Sequence, residues 1–287
     1  MAGTPIIPGR PANPVGQVQR VRKAARAWAV HLDALRHWLN ELIDRIPVRV
    51  VNDARYDYQI DLGALREVVR EILVRMGNGP SESVLDQVMA AYEEGTGLSV
   101  INLSKITDSY TRSVTHVLSS HQYMRRSALI RARVLEEMKG FAGESGQELS
   151  RILSEAVENG LNPRALKDRL ADRFGMSKAR AERIARTEIA GALRRGRLDE
   201  AQDAEENLGI NTGMLWISAL SPTTRASHAA RHAHIYSTQE VREFYARDGN
   251  GINCKCGQTE ILLNDDGSPM TPAVVARLTR RKSTASN

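Results

Sequence analysis

The chain has 287 residues, a net charge of +6 and abundant charges of both signs. That length allows one large domain or two modest ones, and the balance tolerates a polyanionic partner without requiring one. Aromatic residues are only 5% of the total, which argues against a base-stacking platform for single-stranded nucleic acid. No stretch approaches the ~18 apolar residues of a membrane span.

The opening "MAGTPIIPGRPANPVG" lacks the apolar core of a signal peptide, so a reducing cytoplasm is expected. Residues 1–20 hold four prolines and three glycines and read as an extended arm, either docking on a partner or loose. From Ala24 the pattern turns helical. Trp28, Leu32, Leu35, Leu39, Leu42 and Ile46 form one apolar seam, ended by Pro47. A second helix carries Leu62, Leu65, Val69, Ile72 and Met76 and stops at "GNGP". A third carries Val84, Leu85, Val88, Met89 and Tyr92 and is closed by Gly95. A fourth apolar-periodic segment covers 102–138, with a break expected near residue 125. No period-two alternation is evident, so residues 21–140 read as a helical domain.

"GFAGESG" at 140–146 reads as a hinge opening a helical connector, 141–209. A short helix there ends at Gly160. Asn162 caps the next, with Pro163 at its first position and Gly175 at its end. The following helix runs from about Lys178 to Asn207 and carries both signs of charge. That pattern suits a solvated face, while its arginine excess suits phosphate contact through Arg183, Arg194 and Arg195.

After Gly209 the texture changes. "MLWISAL" (214–220) and "TEILLN" (259–264) read as strands. Between them "STQEVREFYARDG" carries a capping box, best fitted by Ser237 with Glu240. Residues 210–265 are thus expected as a small α+β domain, and 266–287 as a flexible basic tail in which Arg280, Arg281 and Lys282 add further candidate DNA contacts. The fold class is mainly α: a helical N-terminal domain and helical connector followed by a small α+β C-terminal domain.

That small domain holds both cysteines of the chain, Cys254 and Cys256. They are too close in sequence to staple distant elements. His228 and His232 are four apart and share a face if their segment is helical. Two imidazoles and two thiolates suit a tetrahedral zinc ion, so His228, His232, Cys254 and Cys256 are the candidate ligands. Alternatively the thiols are buried small side chains and the histidines ordinary hydrogen-bonders. "HAARH" has alanine and arginine where a zinc-protease helix needs its glutamate, and "HAH" with "CKC" lacks the deaminase pattern. A Cys254 nucleophile with His228 as base finds no third, orienting group in the sequence.

Four segments in order, "IARTEIAGALRRGRLDEAQ", "MLWISAL", "TTRASHAARH" and "GNGINCKC", resemble the Mu F-like phage minor head proteins, or head morphogenesis proteins, over roughly 147–265. The family commonly has an aspartate before its T-R pair, where this chain has Ser221 and Pro222, and a glycine where it has Ala233. The resemblance implies a structural, non-enzymatic component of a tailed-phage virion, assembled in the host cytoplasm. It would associate with portal or major capsid protein and the procapsid interior and aid packaging or delivery of double-stranded DNA, with no membrane partner. It implies that Arg186, Thr187 and Glu188 fix the long helix against the C-terminal domain. Trp216 would be core, Arg225 and His228 would organise the loop meeting "NCKC", and Asn253 would orient that turn. The rival readings are a metal-dependent nuclease or hydrolase using the His/Cys cluster with Asp248, and a generic DNA-binding adaptor.

Overall fold

The computed structural model describes residues 2–9, 12–52 and 55–285. Parts of the expected arm and tail, and the Lys282 side chain, lie outside what is described. The element order is α1 (Val18–Arg45), a hairpin of β1 (Val48–Asn52) and β2 (Arg55–Tyr58), α2 (Leu62–Gly77), α3 (Ser81–Ile106), α4 (Val114–Leu118), α5 (His121–Asn159) and α6 (Pro163–Leu208). It continues with β3 (Thr212–Ile217), α7 (Ala226–Ala230), β4 (Ile235–Tyr236), α8 (Thr238–Ala246), β5 (Gly257–Leu262) and α9 (Pro272–Ala285). The chain is mainly α, as its periodicity implies. No described helix is long and apolar enough to cross a membrane.

The elements group into two compact units that do not follow the expected linear division. One comprises Met1–Arg20, Asp86–Arg131 and Arg186–Asn287; the other comprises Val21–Leu85 and Ala132–Ala185. In the smaller unit, α1 buries Trp28, Leu32, Leu35, Leu39 and Ile43. The expected seam drifts at its end because a straight helix turns every 3.6 residues, so Ile43 takes the inward place assigned to Leu42. Trp28 meets Phe141 edge-on at 4.8 Å.

The β1–β2 hairpin corrects the all-helical reading of this region. It is short, and only Tyr58 is buried in β2, so alternation leaves little trace in the sequence. It is tied to the α5–α6 turn: Tyr56 N–H donates to Gly160 O at 2.9 Å and the Tyr58 hydroxyl to Leu161 O at 2.8 Å. Gly160 ends α5 with φ +64°, and Asn162 caps α6 by accepting from Arg164 N–H at 2.8 Å.

Other expected breaks are absent. Gly140, Gly143 and Gly146 lie inside α5, and Gly175 lies inside α6. The real interruption in 102–138 is the stretch 107–120, which holds only α4, and not residue 125. Gly95 does not end α3. A Cβ there would stand 2.1 Å from Leu193 O, and one at Gly196 would stand 2.4 Å from Tyr92 O. These two glycines let the backbones of α3 and α6 touch, a packing role the sequence disguises as punctuation.

In the larger unit an antiparallel sheet of order β4-β3-β5 is covered on both faces, and every residue of β3 and β5 is buried. Alternation along β3 sorts the two faces. Met214 and Trp216 pack with Leu198, Ala201, Val241, Cys254 and Cys256. Leu215 and Ile217 pack with Ile261, Val274 and Leu278. Val274 and Leu278 belong to α9, so most of the expected flexible tail is a docked helix. The arm is docked as well, on its own chain. Ile6 N–H donates to Asn102 Oδ1 at 2.7 Å, Ile6 O accepts from the Thr259 hydroxyl at 3.0 Å, and Ile7 packs against the α9 side of the sheet.

Candidate functional site

The turn before β5 carries both cysteines, and the five-residue α7 carries His228. Cys254 Sγ lies 3.4 Å and Cys256 Sγ 3.6 Å from His228 Nδ1. The three donor atoms all lie within 4.8 Å of one another and all three residues are buried. Ligand bonds of ~2.3 Å to sulfur and ~2.05 Å to nitrogen at a tetrahedral angle give a sulfur–nitrogen edge of about 3.5 Å. The edges found here match it, so the donors fit a zinc-sized ion.

The neighbouring shell orients these donors. Asn250 Nδ2 donates to Phe244 O at 3.0 Å, which turns Asn250 Oδ1 toward His228 Nε2 at 3.3 Å. With Nε2 donating to Asn250, Nδ1 is a hydrogen-bond partner of both sulfurs, and its lone pair is the one an ion between them would take, the arrangement a histidine ligand requires. Asn250 is the orienting group that the sequence did not reveal. Cys254 is held far below the ordinary thiol range, to about 3, chiefly by the hydrogen bond from Cys256, with His228 and Arg194 contributing. Cys256 is pushed up because it keeps the proton directed at Cys254. The pair thus carries one negative charge against the imidazole.

His232 stands apart. Its Nδ1 accepts from Ser218 N–H at 3.0 Å and its Nε2 donates to Leu278 O at 3.1 Å. With both ring nitrogens committed it is a core hydrogen-bonder, and the expected four-ligand set becomes three. Asp248, the carboxylate expected of a hydrolase, is exposed and does not line the cleft beside the cluster.

The motif residues converge on the same place. Arg186 donates to Asn253 Oδ1 at 2.8 Å, and Thr187 Oγ1 accepts from Asn253 N–H at 3.1 Å. Asn253 sits at φ +57°, a left-handed conformation asparagine tolerates. Glu188 is buried and faces Arg195 of its own helix at 3.9 Å. Arg225 grips the carbonyls of Gly249, Asn250 and Ile252 at 2.7–3.2 Å, holding the loop that carries Asn250. Trp216 is fully buried, stacked on Tyr245 at 5.2 Å and edge-on to Phe244 and His228.

The proposed DNA contacts fare unevenly. Arg194 is buried, donates to the carbonyls of Cys254 and Cys256 at 3.3 Å each, and lies 4.4 Å over the Tyr245 ring. It supports the cysteine turn and cannot reach a phosphate. Arg195 and Arg281 are half-buried, while Arg183 and Arg280 are exposed. Sequence reading also missed a second buried constellation. Glu260, fully buried on β5, receives Arg197 at 2.6 and 3.1 Å, Ser99 at 2.9 Å and Asn102 at 2.8 Å. A lone carboxylate inside the apolar run "TEILLN" was its available signal.

No curated protein and no solved structure matches the chain. Residues 147–259 match the family described as Phage Mu protein F like protein, a span that includes α6, Trp216, the His228 helix and both cysteines. Over that segment, well under half of its length, the chain is similar to the Phage Mu protein F like family.

Proposed function

We propose that the protein is a minor head component of a tailed phage. It would be made in the host cytoplasm and built into the virion in association with portal or major capsid protein, meeting packaged double-stranded DNA through exposed arginines such as Arg183 and Arg280. His228, Cys254 and Cys256 would hold a zinc ion that stabilises the C-terminal turn. The observation carrying this reading is the meeting of all four family-like segments at one buried cluster: Arg186 and Thr187 on Asn253, Trp216 on His228, and Arg225 on the loop beside Cys254. In that arrangement the motif residues serve architecture, and no carboxylate lines the cleft beside the cluster to act as a base. Co-expression with the portal protein tests the assignment. Tagged portal is expected to retain this chain through procapsid purification; portal and procapsids that form normally and exclude it overturn the reading.

One observation favours a second reading, in which Cys254, His228 and Asn250 act as nucleophile, base and orienting amide. The equal approach of Cys256 to the same imidazole nitrogen favours the metal instead. Metal analysis of the protein purified without chelator decides between them. About one zinc per chain, two thiols protected from alkylation and a melting temperature lowered by chelation are expected for the metal centre. A metal-free protein with a single rapidly alkylated Cys254 would establish the nucleophile.

A further inference from the structure

A cleft of about 320 Å³ opens onto the same three donors. It is lined by His228, Cys254 and Cys256 together with Ser221, Thr223, Thr224, Asn253, Ala219 and three cations, Arg186, Arg225 and Lys255, and by no carboxylate. Three donors are one short of a tetrahedron, and the described residues supply no fourth histidine, cysteine or carboxylate to the group. A divalent ion held by two thiolates and a neutral imidazole has no net charge, and Arg186, Arg225 and Lys255 are the charged side chains that line the cleft around it. Arg225 is locked in place by its three carbonyl partners, and Arg186 is held on Asn253. Their charges are therefore fixed before anything binds, while the Lys255 side chain stands exposed at the edge.

We infer that this cleft is a binding site for an oxyanion of the phosphate class, which takes the fourth position at the centre and is held by the basic rim. Closed structural sites use four protein ligands, whereas a three-donor centre leaves a place for an exogenous one. The absence of any lining carboxylate disfavours a cation or an amine, and the serine and threonine hydroxyls beside the arginines suit phosphate oxygens. The shared chemistry has two sources, free phosphate and the terminal phosphate of a nucleic acid. The inference rests on the metal centre proposed above.

The test uses the full chain loaded with cobalt(II), whose visible absorption reports its ligands. Inorganic phosphate is expected to change the spectrum saturably, and Lys255→Gln to weaken that response roughly tenfold without altering cobalt uptake. A 5′-phosphorylated oligonucleotide compared with its unphosphorylated twin separates the two sources. A larger response from the phosphorylated strand than from inorganic phosphate assigns the site to nucleic-acid ends, and the reverse assigns it to the free ion. Failure to take up cobalt overturns the metal centre itself. Uptake with a spectrum indifferent to millimolar phosphate, or responding equally to acetate, overturns the oxyanion site and leaves the metal centre standing.

Discussion

At the residue scale, the charges of α6 separate what composition implies from what packing does. Arg194, Arg197, Glu200 and Asp203 recur every third residue, and all four are buried. Each has a fixed partner: Arg194 the cysteine carbonyls, Arg197 the Glu260 carboxylate, Glu200 the Tyr110 hydroxyl, and Asp203 the Arg112 guanidinium. A buried charge survives only when paired and hydrogen-bonded, so this stripe is a set of commitments and not a solvated face. Glu260→Gln leaves Arg197 with an uncompensated buried charge and is expected to lower unfolding free energy by about 3–5 kcal/mol. Glu260→Met with Arg197→Met should lose clearly less than the sum of the two single changes. A denaturant-titration double-mutant cycle reads both, and additivity would show the pair to be uncoupled. Ala233 belongs to the same scale: it adopts φ +66°, a left-handed conformation that glycine would hold at less cost.

At the scale of elements, glycine has two opposite meanings here. Gly95 and Gly196 sit where α3 and α6 touch backbone to backbone, and an added methyl would collide with Leu193 O or Tyr92 O. Gly140 and Gly175 lie mid-helix with nothing within 4 Å of the same methyl. Gly95→Ala or Gly196→Ala should therefore destabilise by about 1–3 kcal/mol, the cost of overpacking exceeding the helical gain. Gly140→Ala or Gly175→Ala should stabilise by about 1 kcal/mol through helix propensity alone. Denaturation midpoints of the four variants check this; a loss at Gly175 or a gain at Gly95 would contradict it.

At the scale of the whole molecule, the sheet and the cysteine turn depend on distant chain. Leu198 and Ala201 of α6 cover one face of the sheet, while Ile7 of the arm and Val274 and Leu278 of α9 cover the other. Asn102 of α3 caps the Glu260 carbonyl at 2.9 Å on the outer edge of β5. So small a piece cannot bury a core of its own. The excised segment 210–265 is expected to give a collapsed, poorly dispersed amide spectrum, with or without zinc. A well-dispersed native-like spectrum from it would show that the C-terminal piece is an independent domain.

Local chemistry made much of the chain legible. The helices of the first two-thirds follow from apolar periodicity, the Asn162 and Ser237 caps from side chains that accept from backbone N–H groups two or three residues on, and the two main strands from short apolar runs. The pairing of His228 with Cys254 and Cys256 was readable from residue type. What the sequence alone left open was choice among equivalents: which histidine faces the thiols, which arginine faces solvent, and which glycine ends a helix. His228 and His232 are chemically alike and one turn apart, yet one meets two sulfurs and the other is bound to Ser218 and Leu278. Gly95 and Gly160 read alike, yet one lets two helices touch and the other turns the chain at positive φ. Those choices depend on groups brought in from elsewhere in the chain: His228 meets sulfurs 26 and 28 residues on, His232 meets partners 14 and 46 residues away, and Arg194 meets carbonyls 60 and 62 residues on. Only the packed tertiary structure, where each buried polar atom must find its partner, decides them.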